Sequence, residues 1–184
     1  MLGLHPCRVA KASPRWMLQL EDLLRTHRAG VGECGLDFSA KTLDREAQVA
    51  AFRWHLNAAQ ILRRPIALHC VRAWGPLLDL LREDGVPAAG TMVHAFSGSL
   101  ETARSLQKKG VFLSFSGDLL KPGRTRLQMV LRGVDPDFLL LESDGTADLQ
   151  SVIEAAAEIC RTSPEALRAL TWENGRRCFK ELCP

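Results

Sequence analysis

The sequence contains no tyrosine, and aromatic residues make up only 6% of the chain. It also lacks a closely spaced C-x-x-C pair, because the six cysteines are spread along its length. No apolar run approaches the roughly 18 residues that a membrane-spanning helix needs. Residues 1–16 carry no apolar stretch behind a basic head, so they do not indicate a signal peptide. We therefore expect a cytoplasmic protein with reduced thiols that does not enter a membrane.

The net charge and the length bear on the possible partners and on the number of domains. The net charge of +3, from 24 Lys and Arg against 21 Asp and Glu, is mildly basic and does not by itself indicate a nucleic-acid partner. The 184 residues, 46% of them hydrophobic, suffice for one domain with its own core, which we place at 1–184. The glycine-rich motifs that cradle nucleotide phosphates are absent, which weakens a nucleotide-binding interpretation.

Short apolar runs alternate with longer amphipathic stretches. The runs are too short for core helices and predict strands buried on both faces. They lie at 30–33, 66–69, 92–94, 111–115 and 138–142, with a stub at 2–4. Helical patterns lie at about 14–27, 43–64, 73–82, 100–109, 125–131, 149–160 and 164–181. This alternation predicts an α/β fold with a parallel sheet, either doubly wound or an incomplete (β/α)₈ barrel.

Four polar residues stand where the apolar runs end. Glu33, His69 and His94 lie at or near the ends of predicted strands, and Asp144 follows the last one. In a parallel α/β barrel these ends converge on one rim, so residues far apart in sequence can meet there. Two imidazoles and two carboxylates suit Zn²⁺, Mn²⁺ or Fe²⁺ better than Mg²⁺, which prefers oxygen ligands. Each residue alone also fits a structural role, such as a helix cap.

Five segments resemble, in order, the signatures of the TatD family of metal-dependent hydrolases. They are GLHP at 3–6, GECGLDF at 32–38, HAFSGS at 94–99, LLLESD at 139–144, and Asn174 with Phe179. The resemblance implies a TIM-type (β/α)₈ barrel and a site for one or two divalent ions, Zn²⁺, Mn²⁺ or Mg²⁺. It also implies hydrolysis of phosphodiester bonds, as a deoxyribonuclease with 3′→5′ exonuclease action on DNA or RNA.

The same resemblance implies a role for each site residue. Glu33 is expected to be a carboxylate ligand that bridges two metals where both are bound. His69 and His94 would complete the second metal's shell. Asp144 would bind the first metal and orient or deprotonate the attacking water, so that Glu33 and Asp144 are the expected catalytic residues. His5 would face the scissile phosphate and bind substrate.

One family signature has no counterpart here. The family opens with a strand carrying H-x-H, and this sequence contains no H-x-H. We therefore expect an N-terminally incomplete barrel of about five strands plus a stub; completion of the barrel in an oligomer is a further hypothesis. Two alternatives stay open: an inactive homologue that acts as a binding or oligomeric protein, and a metal-dependent esterase that deacylates tRNA.

A basic cluster could steer phosphates or be a solvated surface; it comprises Arg104, Lys108, Lys109, Lys121, Arg124 and Arg126.

Overall fold

A computed structural model describes residues 1–40, 44–145 and 147–182. Backbone contacts divide the chain into two compact units. The first holds residues 1–92 together with the residues from Cys178 onward, and the second runs from Val93 to Arg177. The predicted single domain over 1–184 stays a prediction beside this division.

Helices and strands alternate in the first unit. After a 3₁₀ turn at Pro6–Lys11 come α1 (Trp16–Thr26), β1 (Val31–Asp37), α2 (Arg45–Ile61), β2 (Ile66–Val71) and α3 (Trp74–Glu83). Strand β1 pairs with β2 in parallel, and Leu2 adds a single parallel bridge to Val31, where the stub was predicted. The core includes the fully buried Leu36 of β1, Leu68 of β2 and Phe52 of α2.

The second unit continues the alternation. Strand β3 (Thr91–Val93) spans the boundary between the units. It is followed by α4 (Leu100–Gln107), β4 (Phe112–Phe115), α5 (Thr125–Gly133), β5 (Leu139–Leu141), α6 (Leu149–Cys160) and α7 (Pro164–Cys178), with 3₁₀ turns at Gly117–Leu120 and Pro136–Phe138. Strands β4 and β5 pair in parallel. The α/β class with parallel strands is confirmed.

Capping residues set where several helices begin. The side chains of Asp44, Ser99 and Asp148 each accept a hydrogen bond from the backbone N–H three residues later. Ser163 does the same for Ala166, just before α7 begins at Pro164. Such caps satisfy backbone donors that the first helical turn leaves without a partner.

Two details differ from the sequence-based expectations. Strand β1 continues to Asp37, so Glu33 lies inside the strand and not at its end. On α1, Leu20 and Leu24 are buried. Met17 and Leu23 belong to the same apolar pattern within 14–27 but are 38% and 41% exposed, so fewer apolar residues of this helix are buried than that pattern predicts. Leu43, the predicted start of the second helix, lies outside the described residues. Cys34, Cys70 and Cys178 are buried free thiols.

No helix in the described part of the chain combines the length and the apolar character that crossing a bilayer requires.

Candidate metal centre

In the first unit, the pairing of β1 with β2 places His69 between two carboxylates. His69 lies opposite Gly35 in the parallel register. Side chains two residues apart on a strand share a face, so Glu33 and Asp37 flank Gly35 on the same side of β1. Glu33 Oε1 lies 3.3 Å from His69 Nδ1, and Asp37 Oδ2 lies 3.4 Å from His69 Nε2.

Gly35 makes this arrangement possible. Its φ is +135°, a region that L side chains rarely adopt, and a Cβ there would collide with the carbonyl oxygen of His69. A register irregularity between Val31 and Cys34 adds one residue to β1 over this stretch. Bulges of this kind re-aim a side chain locally, which here applies to Glu33.

Asp37 orients the ring of His69. Its ionised carboxylate only accepts hydrogen bonds, so the contact at Nε2 needs Nε2–H as the donor; with Nε2 protonated, the neutral ring has Nδ1, beside Glu33, as its ligand atom for a cation. Burial alone would raise the pKa of Asp37, but hydrogen bonds from Ser39, Cys7 and His69 outweigh it and lower that pKa. Asp37 therefore stays ionised at neutral pH and keeps orienting the ring.

His5 completes the group. It is the N-cap of the first 3₁₀ turn, where its Nδ1 accepts a hydrogen bond from the Cys7 N–H at 3.3 Å. Its Nε2 lies 3.3 Å from His69 Nδ1, and the two rings meet edge to face with centroids 4.4 Å apart. One ligand atom from each of His5, Glu33 and His69 lies within 4.8 Å of the other two.

These three donors fit a divalent ion chemically. Two imidazole nitrogens and one carboxylate oxygen form a set that suits Zn²⁺ or Mn²⁺. Since His69 Nδ1 is an acceptor, the proton of the His5–His69 contact belongs to His5 Nε2. A cation bound at His5 Nε2 needs the lone pair of that nitrogen, so the hydrogen of the neutral ring would have to move to Nδ1 when the ion binds.

The second unit holds its own histidine and carboxylates. His94 directly follows β3, and Glu142 directly follows β5. His94 Nδ1 lies 2.8 Å from Glu142 Oε2, while His94 Nε2 lies 3.2 Å from Asp144 Oδ1. The other oxygen of Glu142 accepts the Ala95 N–H at 2.6 Å. Glu142 therefore holds the ring at Nδ1 and directs Nε2 toward Asp144.

All five predicted site residues can now be placed. Glu33, His69 and His5 lie together in the first unit, and His94 and Asp144 lie together in the second. Whether Glu33, His69, His94 and Asp144 form one ligand set stays a prediction, as does substrate contact by His5.

The sequence analysis missed two orienting carboxylates. Asp37 lies inside the GECGLDF segment and Glu142 inside LLLESD, so both stood within the motifs already singled out. The available signal was a carboxylate at the end of an apolar strand run, which is costly to bury unless hydrogen bonds compensate it.

In the basic cluster, Lys121 and Arg124 both pair with Asp118, so part of the positive charge is balanced within the second unit.

Comparison with known proteins identifies the family. The model of the TatD related DNase family matches residues 1–180, nearly the whole chain. The chain belongs to the TatD-related DNase family.

Similar proteins agree with this membership. The uncharacterized metal-dependent hydrolase YabD of Bacillus subtilis is 26% identical, over 97% of this chain and 76% of its own length. The 3′-5′ ssDNA/RNA exonuclease TatD of Edwardsiella piscicida is 29% identical, over 88% of this chain and 63% of its own length. The crystal structure of YJJV, a TatD homologue from Escherichia coli, superposes on the whole chain with a TM-score of 0.90, at 26% identity and 76% coverage of that protein.

Membership in the TatD family confirms the recognition made from the motifs and the α/β-barrel class of the fold. The chain is accordingly a metal-dependent hydrolase of the TatD type. The relatives extend beyond the matched region, since the chain spans about three quarters or less of their lengths.

Proposed function

We propose that this chain is a deoxyribonuclease that removes nucleotides from the 3′ end of single-stranded DNA or RNA, using a divalent ion. The observation that carries the proposal is the His5–Glu33–His69 group, whose three ligand atoms converge within 4.8 Å in a TatD-family chain. The substrate class and the direction follow from the name of the Edwardsiella relative, a 3′-5′ ssDNA/RNA exonuclease.

The first unit would hold the ion. Glu33 supplies a carboxylate oxygen, His69 supplies Nδ1, and Asp37 keeps His69 in the tautomer that leaves Nδ1 unprotonated. His5 is close enough to join this set, beside its predicted role toward the phosphate. A divalent ion, Zn²⁺, Mn²⁺ or Mg²⁺, would lower the pKa of the attacking water and balance charge on the phosphate.

The second unit would contribute a ligand nitrogen from His94 and a proton acceptor, Asp144. Glu142 fixes His94 so that Nε2 carries the lone pair and serves as a ligand atom. The proposed role of Asp144, whose Oδ1 lies 3.2 Å from that nitrogen, is to accept the proton of the attacking water. Asp144 is also 39% exposed at its side chain, which leaves it accessible to a substrate.

Three further proposals concern the partner, the location and the oligomeric state of the chain. A nucleic acid is the proposed partner, and the cytoplasm is the proposed location. An oligomer in which a second chain adds ligands stays a hypothesis.

A labelled oligonucleotide assay tests the proposal. Single-stranded DNA carrying a 5′ label should be shortened stepwise from its 3′ end in Mn²⁺ or Mg²⁺, with release of mononucleotides. Chelation should stop the reaction, and added metal should restore it. Glu33→Gln should lower the rate at least about a hundredfold, whereas Glu46→Gln, at an exposed position on α2, should leave it unchanged.

Three outcomes would contradict the proposal. Full activity after chelation would exclude a metal-dependent reaction. Release of an amino acid from aminoacyl-tRNA without nucleotide release would favour the deacylase alternative. A folded, metal-loaded chain that turns over none of these substrates would favour the inactive homologue.

A further inference from the structure

A buried histidine of the first unit lies outside the proposed ligand set but contacts the chain next to it. His55 belongs to α2, and none of its surface is exposed to solvent. A buried imidazole without hydrogen bonds would be costly. Both of its nitrogens have backbone partners.

The two hydrogen bonds define its protonation. His55 Nδ1 lies 2.7 Å from the carbonyl oxygen of Ala51, one turn earlier on the same helix, so Nδ1 carries the hydrogen and donates it. His55 Nε2 therefore carries a lone pair. It accepts the backbone N–H of Leu4 at 3.0 Å, across 51 residues of sequence.

Two indole rings hold the imidazole in place. Trp16 of α1 stacks on His55, with centroids 5.3 Å apart and 18° between the planes. Trp54 meets it edge on, with centroids 5.2 Å apart. The ring is thus fixed by packing as well as by hydrogen bonds, and no solvent reaches it to replace a lost partner.

Leu4 is covalently joined to His5. The segment is anchored upstream as well, because Leu2 N–H donates to the Gly30 carbonyl and Gly32 N–H donates to the Leu2 carbonyl. The hydrogen bond at Leu4 then ties the segment to α2 directly before the His5 ring. That ring lies 3.3 Å from His69.

We propose that His55 is a positioning residue, which holds the Leu4 backbone and thereby places the His5 ring beside Glu33 and His69. The inference rests on the proposed function, in that His5 takes part in metal binding. His55 itself touches neither substrate nor ion. It acts through one backbone hydrogen bond and the peptide unit that follows it.

The variants separate the hydrogen bond from the space that the ring fills. His55→Gln keeps a side-chain acceptor of similar reach, whereas His55→Leu keeps volume and loses the acceptor. The affinity of the full chain for Mn²⁺ should fall roughly ten- to hundredfold in His55→Leu, as for other groups that orient metal ligands. His55→Gln should recover most of the loss.

A double-mutant cycle tests whether the effect passes through His5. In a His5→Ala background, the further change His55→Leu should alter Mn²⁺ affinity less than twofold, because the ring that it positions is gone. An equal loss in both backgrounds would overturn the proposal, since it would mean a general disturbance of the fold.

Two measurements on the unmodified, metal-free chain need no variant. Nitrogen chemical shifts of His55 at pH 7 should report a protonated Nδ1 and an unprotonated Nε2, and the Leu4 amide should exchange slowly with solvent. The opposite tautomer, or fast exchange at Leu4, would overturn the inference even if His55→Leu failed to fold. Absence of Mn²⁺ binding by the unmodified chain, with the Leu4 amide protected, would instead refute the proposed metal function and limit His55 to holding the segment.

Discussion

Acid should destabilise the first unit through His55, and the size of the effect follows from its burial. Burial lowers the pKa of His55 to about 4, while its hydrogen bond to Ala51 opposes that shift only in part. In the unfolded chain the pKa is the ordinary 6.5. The native state therefore resists a proton that the unfolded chain accepts, so stability is intact above pH 6.5 and is lost as the pH falls toward 4.

The magnitude is large enough to measure. The difference between the two pKa values corresponds to about 3 kcal/mol of unfolding free energy, most of which should be lost by pH 4.5. Urea unfolding of the unmodified chain and of His55→Gln, at pH 7.5 and pH 4.5, would measure it. Glutamine does not titrate, so the variant should lose less stability on acidification by about that amount.

Other acid-sensitive groups are common to both chains and cancel in this comparison. The matched control is His27→Gln, which makes the same substitution at an exposed position just after α1. An equal loss of stability on acidification for the unmodified chain and His55→Gln would refute the reasoning about burial of this ring.

Three further substitutions test other parts of the account. Glu142→Gln should weaken Mn²⁺ binding about tenfold or more, since it weakens the hold on His94; Glu101→Gln, at an exposed position on α4, should not change this affinity in the same titration. Gly35→Ala should cost at least about 2 kcal/mol in urea unfolding, because its Cβ meets a strand carbonyl, whereas Gly75→Ala meets nothing within 4 Å and should be neutral. Asn174→Ala should cost roughly 1–3 kcal/mol by the same measurement, because the buried amide donates to two backbone carbonyls beside β5; no loss would contradict a structural role for this motif residue.

Much of the fold was predictable because each element carries a local signal. Apolar runs predicted the five strands of the described residues, and amphipathic patterns predicted their helices. The end of β1 was missed because its last residues, Gly35 to Asp37, interrupt the apolar run with a glycine and a carboxylate that the site requires. The apolar pattern therefore did not show that the strand continues through these residues.

The candidate site residues were expected from polar residues at or after the ends of apolar runs. The structure brings Glu33 beside His69 and His94 beside Asp144, while their role as ligands stays a prediction. The partners that fix the tautomers, Asp37 and Glu142, were not assigned, because a hydrogen bond between distant residues has no spacing signal. His55 was missed for the same reason: on an amphipathic helix it looks like an ordinary polar residue until Leu4 is placed beside it.

The central claim is that His5, Glu33 and His69 bind a divalent ion. Elemental mass spectrometry on size-separated, folded protein, after loading with Mn²⁺ or Zn²⁺, tests it most directly. The account predicts bound metal in the unmodified chain and its loss, under the same conditions, in a folded Glu33→Gln variant. A folded chain that retains no metal, or a Glu33→Gln variant that retains as much as the unmodified chain, would contradict it.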